Sequence, residues 1–216
     1  MATGTSSSTA RKLLIATGAL LALASVAMIL VALNGSSPGA GRARAVGRAR
    51  PSAATPHRDF SWLRPAPAPS GWRIARLRSG SGALAYPPGW QSIRSDPGTA
   101  SAAVTDRRGT IVSYLNATPK SGGETLANWS RFRPNHVAEE GAHDVRLLDS
   151  ATGLSFRTGI GSCVIDSYST SRARYEEIAC LVAGARASTV IVGATEPGAW
   201  SARAPAIKRA IASFAT

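Results

Sequence analysis

Ser162-Cys163-Val164-Ile165-Asp166-Ser167-Tyr168-Ser169-Thr170 and Ala173-Arg174-Tyr175-Glu176-Glu177-Ile178-Ala179-Cys180-Leu181-Val182, split by Ser171-Arg172, decide the fold. Both stretches are rich in β-branched and aromatic residues, and the pair between them suits a tight turn. They read as an antiparallel hairpin in which Thr170 faces Ala173. Stepping outward from that pair, Ile165 meets Ile178 and Cys163 meets Cys180 on one face, while Tyr168 meets Tyr175 on the other. The same register sets Asp166 against Glu177, an unfavourable like-charge pair. Directly opposed residues without mutual hydrogen bonds come within about 4.5 Å between Cα atoms, inside disulfide range. A Cys163–Cys180 disulfide is the preferred reading. It would stabilise the fold by about 3 kcal/mol in the chain-entropy treatment and requires an oxidising compartment. Two buried free thiols, or a redox or nucleophilic cysteine, are the alternatives.

Around this hairpin the pattern continues as strands and two helices. Ala83 to Tyr86 runs into the turn Pro87-Pro88-Gly89-Trp90, and Ala100 to Thr105 and Ile111 to Leu115 flank a hairpin turn at Asp106-Arg107-Arg108-Gly109. A helix is expected to start near Glu124-Thr125, with Leu126, Trp129 and Phe132 as its apolar stripe and Pro134 limiting it. Val145 to Leu148 and Gly153 to Arg157 read as two further strands. Ser188 to Gly193, β-branched through its centre, is the clearest buried strand. Trp200, Ala204, Ile207, Ile211 and Phe214 fall at helical spacing, with Pro205 suited to a first turn. The fold class expected is α+β: an antiparallel sheet flanked by helices.

Upstream, Leu13 to Leu33 is a run of 21 residues without a charge, preceded by Arg11-Lys12. As a helix it would cover about 31 Å, one bilayer core. It exceeds the roughly 7–15 apolar residues of a cleaved signal peptide, and no clean cleavage site or lipobox cysteine follows. The expected organisation is a cytoplasmic tail at 1–12, a transmembrane signal-anchor at 13–33, a Pro/Ala/Arg-rich linker at 34–70 and an extracytoplasmic α+β domain at 71–216. A count of Lys/Arg would favour the opposite orientation, because Arg42, Arg44, Arg48 and Arg50 follow the run. The position of Arg11-Lys12 against the run and the cysteine pair favour export. The protein is thus expected at the cell membrane as a single-pass species. His57, Phe60 and Trp62 in the linker suggest an interfacial patch or no specific role.

The chain carries +13, of which residues 1–70 contribute +7 and 71–216 contribute +6. Dispersed arginines without long runs argue against specific nucleic-acid binding and for attraction to anionic lipid or envelope polymers. His136 and His143, near Glu139, Glu140 and Asp144, match no metal-ligand spacing, so no metal or cofactor is expected. Within 71–216 no G-x-S-x-G turn supplies a serine nucleophile, and no catalytic residue is assigned. Asp166, Glu176 and Glu177 are expected to form an exposed acidic face rather than a cation site. Trp90, Trp129 and Tyr168 are the residues expected to border a binding surface on the sheet.

The order of these signals resembles the PsbP-like superfamily, including the LpqN-type exported proteins of actinobacteria. The residues that carry the likeness are Tyr86-Pro87-Pro88-Gly89-Trp90, the helix with Leu126 and Trp129, Val190-Ile191-Val192, and the closing Ser213-Phe214. The resemblance spans roughly residues 80–216. It implies an α/β/α sandwich and a non-catalytic binding or assembly module, and it brings no catalytic residues with it. The expected function is therefore a membrane-anchored extracytoplasmic binding module whose partner is a protein or envelope polymer. The alternatives are an envelope enzyme using His136 or His143 with a neighbouring carboxylate, and a structural or stress-response envelope factor.

Overall fold

The computed structural model describes residues 60–216. The expected tail at 1–12, anchor at 13–33 and linker residues 34–59 lie outside the described residues. Among the described residues, no helix is long and apolar enough to cross a membrane.

The quoted hairpin forms as β7 (Gly159–Ser169) and β8 (Arg174–Gly184). Cys163 pairs with Cys180, Ile165 with Ile178, Asp166 with Glu177 and Tyr168 with Tyr175, the register expected from the turn outward. Thr170 closes the turn, its N–H donating to the Ala173 carbonyl at 2.8 Å. The cysteines are joined, with their Cα atoms 4.0 Å apart, and both are buried.

The hairpin is part of a seven-stranded antiparallel sheet. Its other strands are β3 (Gln91–Ile93), β4 (Ala100–Thr105), β5 (Ile111–Pro119), β6 (His143–Phe156) and β9 (Ser188–Thr195), in the spatial order β3-β4-β5-β9-β8-β7-β6. β1 (Arg73–Arg76) and β2 (Ala83–Tyr86) pair separately as a two-stranded ribbon. β9 runs between β5 and β8, which accounts for its uniformly apolar, β-branched centre. The two strands expected at 145–148 and 153–157 are one, β6. Three register shifts let this edge strand carry the polar Asp149-Ser150 stretch without leaving the ladder.

The helices cover opposite faces, as the period-two alternation of the strands requires. On one face Leu115, Cys163, Ile178, Cys180, Val182 and Ile191 pack with Ile207 and Ile211 of α2 (Trp200–Ala212) and with Phe214 beyond it. A Cβ at Gly193 of β9 would fall 2.4 Å from Ile207 Cγ2, so α2 seats where the strand has no side chain. On the other face Val164, Ala179, Leu181, Val190 and Val192 pack with Trp129 of α1 (Trp129–Glu139).

Three expectations need correction. First, α1 begins at Trp129, not near Glu124, because reciprocal bonds hold the preceding turn: Thr125 N–H to Asn128 Oδ1 at 2.7 Å, and Asn128 N–H to Thr125 Oγ1 at 3.1 Å. Second, Pro134 and Pro205 lie inside α1 and α2. Each removes one ladder hydrogen bond, a loss offset by the apolar contacts that seat both helices on the sheet. Third, the folded part starts before residue 71. Phe60 is buried, Trp62 and Leu63 pack on the α2-side core, and the Ala66 N–H donates to the Ala212 carbonyl at 3.1 Å. Residues 60–70 therefore belong to the domain, and Phe60 and Trp62 have a packing role.

Candidate functional site

A row of side chains crosses the α1-covered face of the sheet. Tyr114 of β5 lies beside Ala194 of β9, Ala194 beside Glu177 of β8, Glu177 beside Asp166 of β7, and Asp166 beside Leu147 of β6. Since Ala194 is small, Tyr114 can reach across it. The Tyr114 hydroxyl lies 3.1 Å from Glu177 Oε2 and 3.0 Å from the Tyr168 hydroxyl, which is itself 3.2 Å from Oε2. Two phenolic protons thus serve three contacts. Arg133 comes down from α1, its Nε donating to Glu177 Oε1 at 2.7 Å. Neither carboxyl oxygen of Asp166 has a hydrogen-bond partner among the described residues, and the residue is fully buried.

The electrostatics follow from this geometry. Burial, and then the Glu177 carboxylate, push the Asp166 carboxyl up to about 8, against the pull of Arg133. Burial works against the Arg133 charge, but Glu177 beside it holds the guanidinium above its ordinary value. Burial raises Tyr114 and Tyr168 above the ordinary phenol range; Glu177 adds to the shift on Tyr114, and Tyr114 to that on Tyr168. Both therefore stay protonated as donors. The row holds two acids, one permanent cation and two phenols; both acids and Tyr168 are buried, and Arg133 and Tyr114 are partly so.

This corrects the expectation of an exposed acidic face. Asp166 and Glu177 are buried; Glu176, on the alternate face of β8, is only partly so. The signal that would have found the site was present. Trp129, Arg133 and Val137 share one helical face at four-residue spacing, which puts a guanidinium between two core residues. The like-charge pairing of Asp166 with Glu177 was itself the sign that a cation from elsewhere was needed.

The structure does not bring Trp90, Trp129 and Tyr168 together as the border of a cleft. Each is buried, and each belongs to a different apolar cluster. Trp129 donates from Nε1 to the Ala179 carbonyl at 3.0 Å and stacks on Phe132; it anchors α1. The two histidines are also separate. His136 lies on the outer side of α1, 3.3 Å from Glu140 Oε1 and stacked on Phe132, whereas His143 is exposed at the start of β6. The Glu140 hydrogen bond raises His136, and the His136 bond lowers Glu140. Among the described residues, no group of three or more His, Cys, Asp or Glu side chains could hold a metal ion.

Two of the surface recesses are lined by residues that could meet a ligand. The smaller, about 150 Å³, lies along α1 and includes Asn128, Arg131, Phe132, His136 and Glu139. The larger, about 560 Å³, lies at the β3 edge. Arg78, from the turn after β1, and Arg94, from the end of β3, line it with Ser92, Ser95, Thr99 and one carboxylate, Asp96. Its loop is held by a chain of hydroxyls, Thr99 to Ser95 to Ser101, ending on Asn116 Oδ1. Neither arginine makes an ion pair among the described residues.

No protein-family model and no curated protein matches the sequence. Solved structures do match it, two of them bearing the PsbP and LpqN names met in the sequence resemblance. The chain is similar to the cyanobacterial PsbP, CyanoP, of Synechocystis sp. PCC 6803, with a TM-score of 0.49 and 11% identity over 69% of this chain and 94% of that one. It is similar to LpqN of Mycobacterium tuberculosis, described as involved in cell envelope biogenesis, with a TM-score of 0.36 and 14% identity over 68% and 79%. It is also similar to PA94 of Pseudomonas aeruginosa, described as a putative regulator, with a TM-score of 0.40 and 12% identity over 68% and 98%. At such identities the likeness concerns the path of the chain.

Proposed function

We propose that this chain is a membrane-anchored module displayed outside the cytoplasm, and that it works by binding an anionic envelope component at the Arg78/Arg94 recess. The observation that carries this reading is the recess itself. Two guanidiniums from different sheets converge on an open, hydroxyl-lined space with one opposing carboxylate. The surroundings share its sign, since residues 60–216 hold eighteen Lys/Arg against eleven Asp/Glu. A guanidinium fork suits phosphate or carboxylate oxygens. The buried Cys163–Cys180 bridge supports an oxidising compartment, and the apolar run at 13–33 supports attachment to the bilayer. The strongest acid cluster is sealed beneath α1 and is out of reach of a substrate, which favours binding over turnover.

The test uses full-length protein in lipid nanodiscs and polyphosphate as a soluble polyanion probe. R78E/R94E should weaken binding at least about tenfold, the loss of two contact charges. R107E/R108E, in the turn at the far end of β4, should change it little. Equal losses in the two variants would reduce the recess to general surface charge and overturn the assignment. Protease added to intact cells should digest the domain, and its protection would overturn the orientation.

A second reading has one observation in its favour. His136, paired with Glu140, opens onto the smaller recess, where an imidazole could move a proton. H136A that leaves polyphosphate binding intact but abolishes turnover of an envelope substrate would establish this enzyme instead.

A further inference from the structure

The row beneath α1 is built with one cation too few. Asp166 and Glu177 face each other directly across β7 and β8, both without solvent exposure. Arg133 donates to Glu177, whose second oxygen also lies within hydrogen-bond distance of Tyr114 and Tyr168. Asp166 receives nothing from any of them. The charges acting on it are Glu177 from β8 and Arg133 from α1. Its own strand contributes Tyr168, β5 contributes Tyr114 through Glu177, and β6 places Leu147 opposite it. A second buried carboxylate charge has no partner here, whereas the protonated acid carries no charge to pair and costs less to bury.

The helix above is attached unevenly. Its N-terminal end and the turn before it are held by neutral bonds, from Trp129 Nε1 to the Ala179 carbonyl at 3.0 Å and from Ser162 Oγ to the Leu126 carbonyl at 2.7 Å. Further along, the polar tie to the sheet is Arg133 to Glu177, with Val137 packed nearby on Tyr168 and Tyr175. Ionisation of Asp166 would act on this second half.

We propose that α1 is a proton-linked lid over the polar row, closed while Asp166 carries a proton and loosened when lifting of the helix lets Asp166 ionise in water. The sign follows from linkage. The closed state holds a proton that the open state releases above the ordinary carboxylate range, so opening is favoured by rising pH. The dependence ends where the closed state loses the proton as well, at about 8. Acid tightens the lid; alkali loosens it, uncovering the tyrosines and the sheet face beneath Arg133 and Val137.

The experiment is hydrogen exchange of the α1 amides in the full chain, in detergent, from pH 5 to 9, corrected for intrinsic exchange. The opening constant should rise by up to about tenfold per pH unit toward pH 8 and then level off. D166N mimics the protonated acid and should stay closed throughout. His136 and Glu140 titrate on the outer side of the same helix, but D166N keeps that pair, so the difference between the two proteins isolates Asp166. Identical pH profiles would overturn the lid. If D166N fails to fold, carboxyl-carbon NMR of Asp166 in the unmodified chain decides the matter: a midpoint near 8 supports the proposal, and one below 5 overturns it.

Discussion

Arg133 and Glu177 are 44 residues apart in the chain, yet the Arg133 Nε stands 2.7 Å from Glu177 Oε1 in the interface between α1 and the sheet. The carboxylate is fully buried and the guanidinium nearly so. This contact turns an unfavourable pair of opposed acids into the seat of a helix, and it governs how the domain responds to substitution.

Arg133→Met should cost about 3–5 kcal/mol, because it leaves Glu177 charged and buried beside Asp166. R133M/E177L should recover much of that loss, since apolar groups of similar size restore packing without a stranded charge. Denaturant midpoints of the two variants check this; a double variant no better than the single would show that packing of the arginine stem dominates.

Removal of the disulfide by C163A/C180A should cost about 3 kcal/mol, the chain-entropy value for a loop of this size. Unfolding with and without reductant should then coincide in the variant and differ in the parent chain.

A chain beginning at residue 71 should be less stable than one beginning at residue 60. Burial of a side chain such as Phe60 contributes about 1.5–3 kcal/mol, and the Ala66 N–H bond to α2 is lost with it. Phe60→Ala in the full chain should give most of the same loss, read as a lower melting temperature.

Gly193→Val should destabilise more than an ordinary substitution in a strand. Even its Cβ meets Ile207 Cγ2 at 2.4 Å, and backbone and helix cannot both stay in place. Pairing it with Ile207→Ala should relieve part of the loss, measured as a thermodynamic cycle.

The His136–Glu140 pair should support α1 only within a pH window. The raised His136 contributes below its unfolded value of about 6.5 and loses the contribution as pH rises through its folded value. The lowered Glu140 contributes above its unfolded value of about 4.5 and loses it as pH falls through its folded value. H136A and E140A should therefore differ from the parent chain between these limits and converge with it outside them, in stability followed against pH.

The sequence alone determined whatever depends on neighbours along the chain. Turn residues at Ser171-Arg172 and period-two alternation sufficed for the β7–β8 register, and with it for the opposition of Cys163 to Cys180 and of Asp166 to Glu177. Helical spacing sufficed to place Ile207 and Ile211 on the sheet. Which faces are covered, and by what, follows from long-range packing. Alternation says that Asp166 and Glu177 share a face but is silent on whether water or a helix lies over it. The cation that makes their burial tolerable comes from a helix 44 residues upstream of Glu177. Trp90, Trp129 and Tyr168 were legible as large aromatic side chains, but the pieces that bury them, Phe60, Trp62 and Leu63 in the cluster of Trp90 among them, are brought in by packing. Burial is set by the sum of distant surfaces, which no local pattern carries.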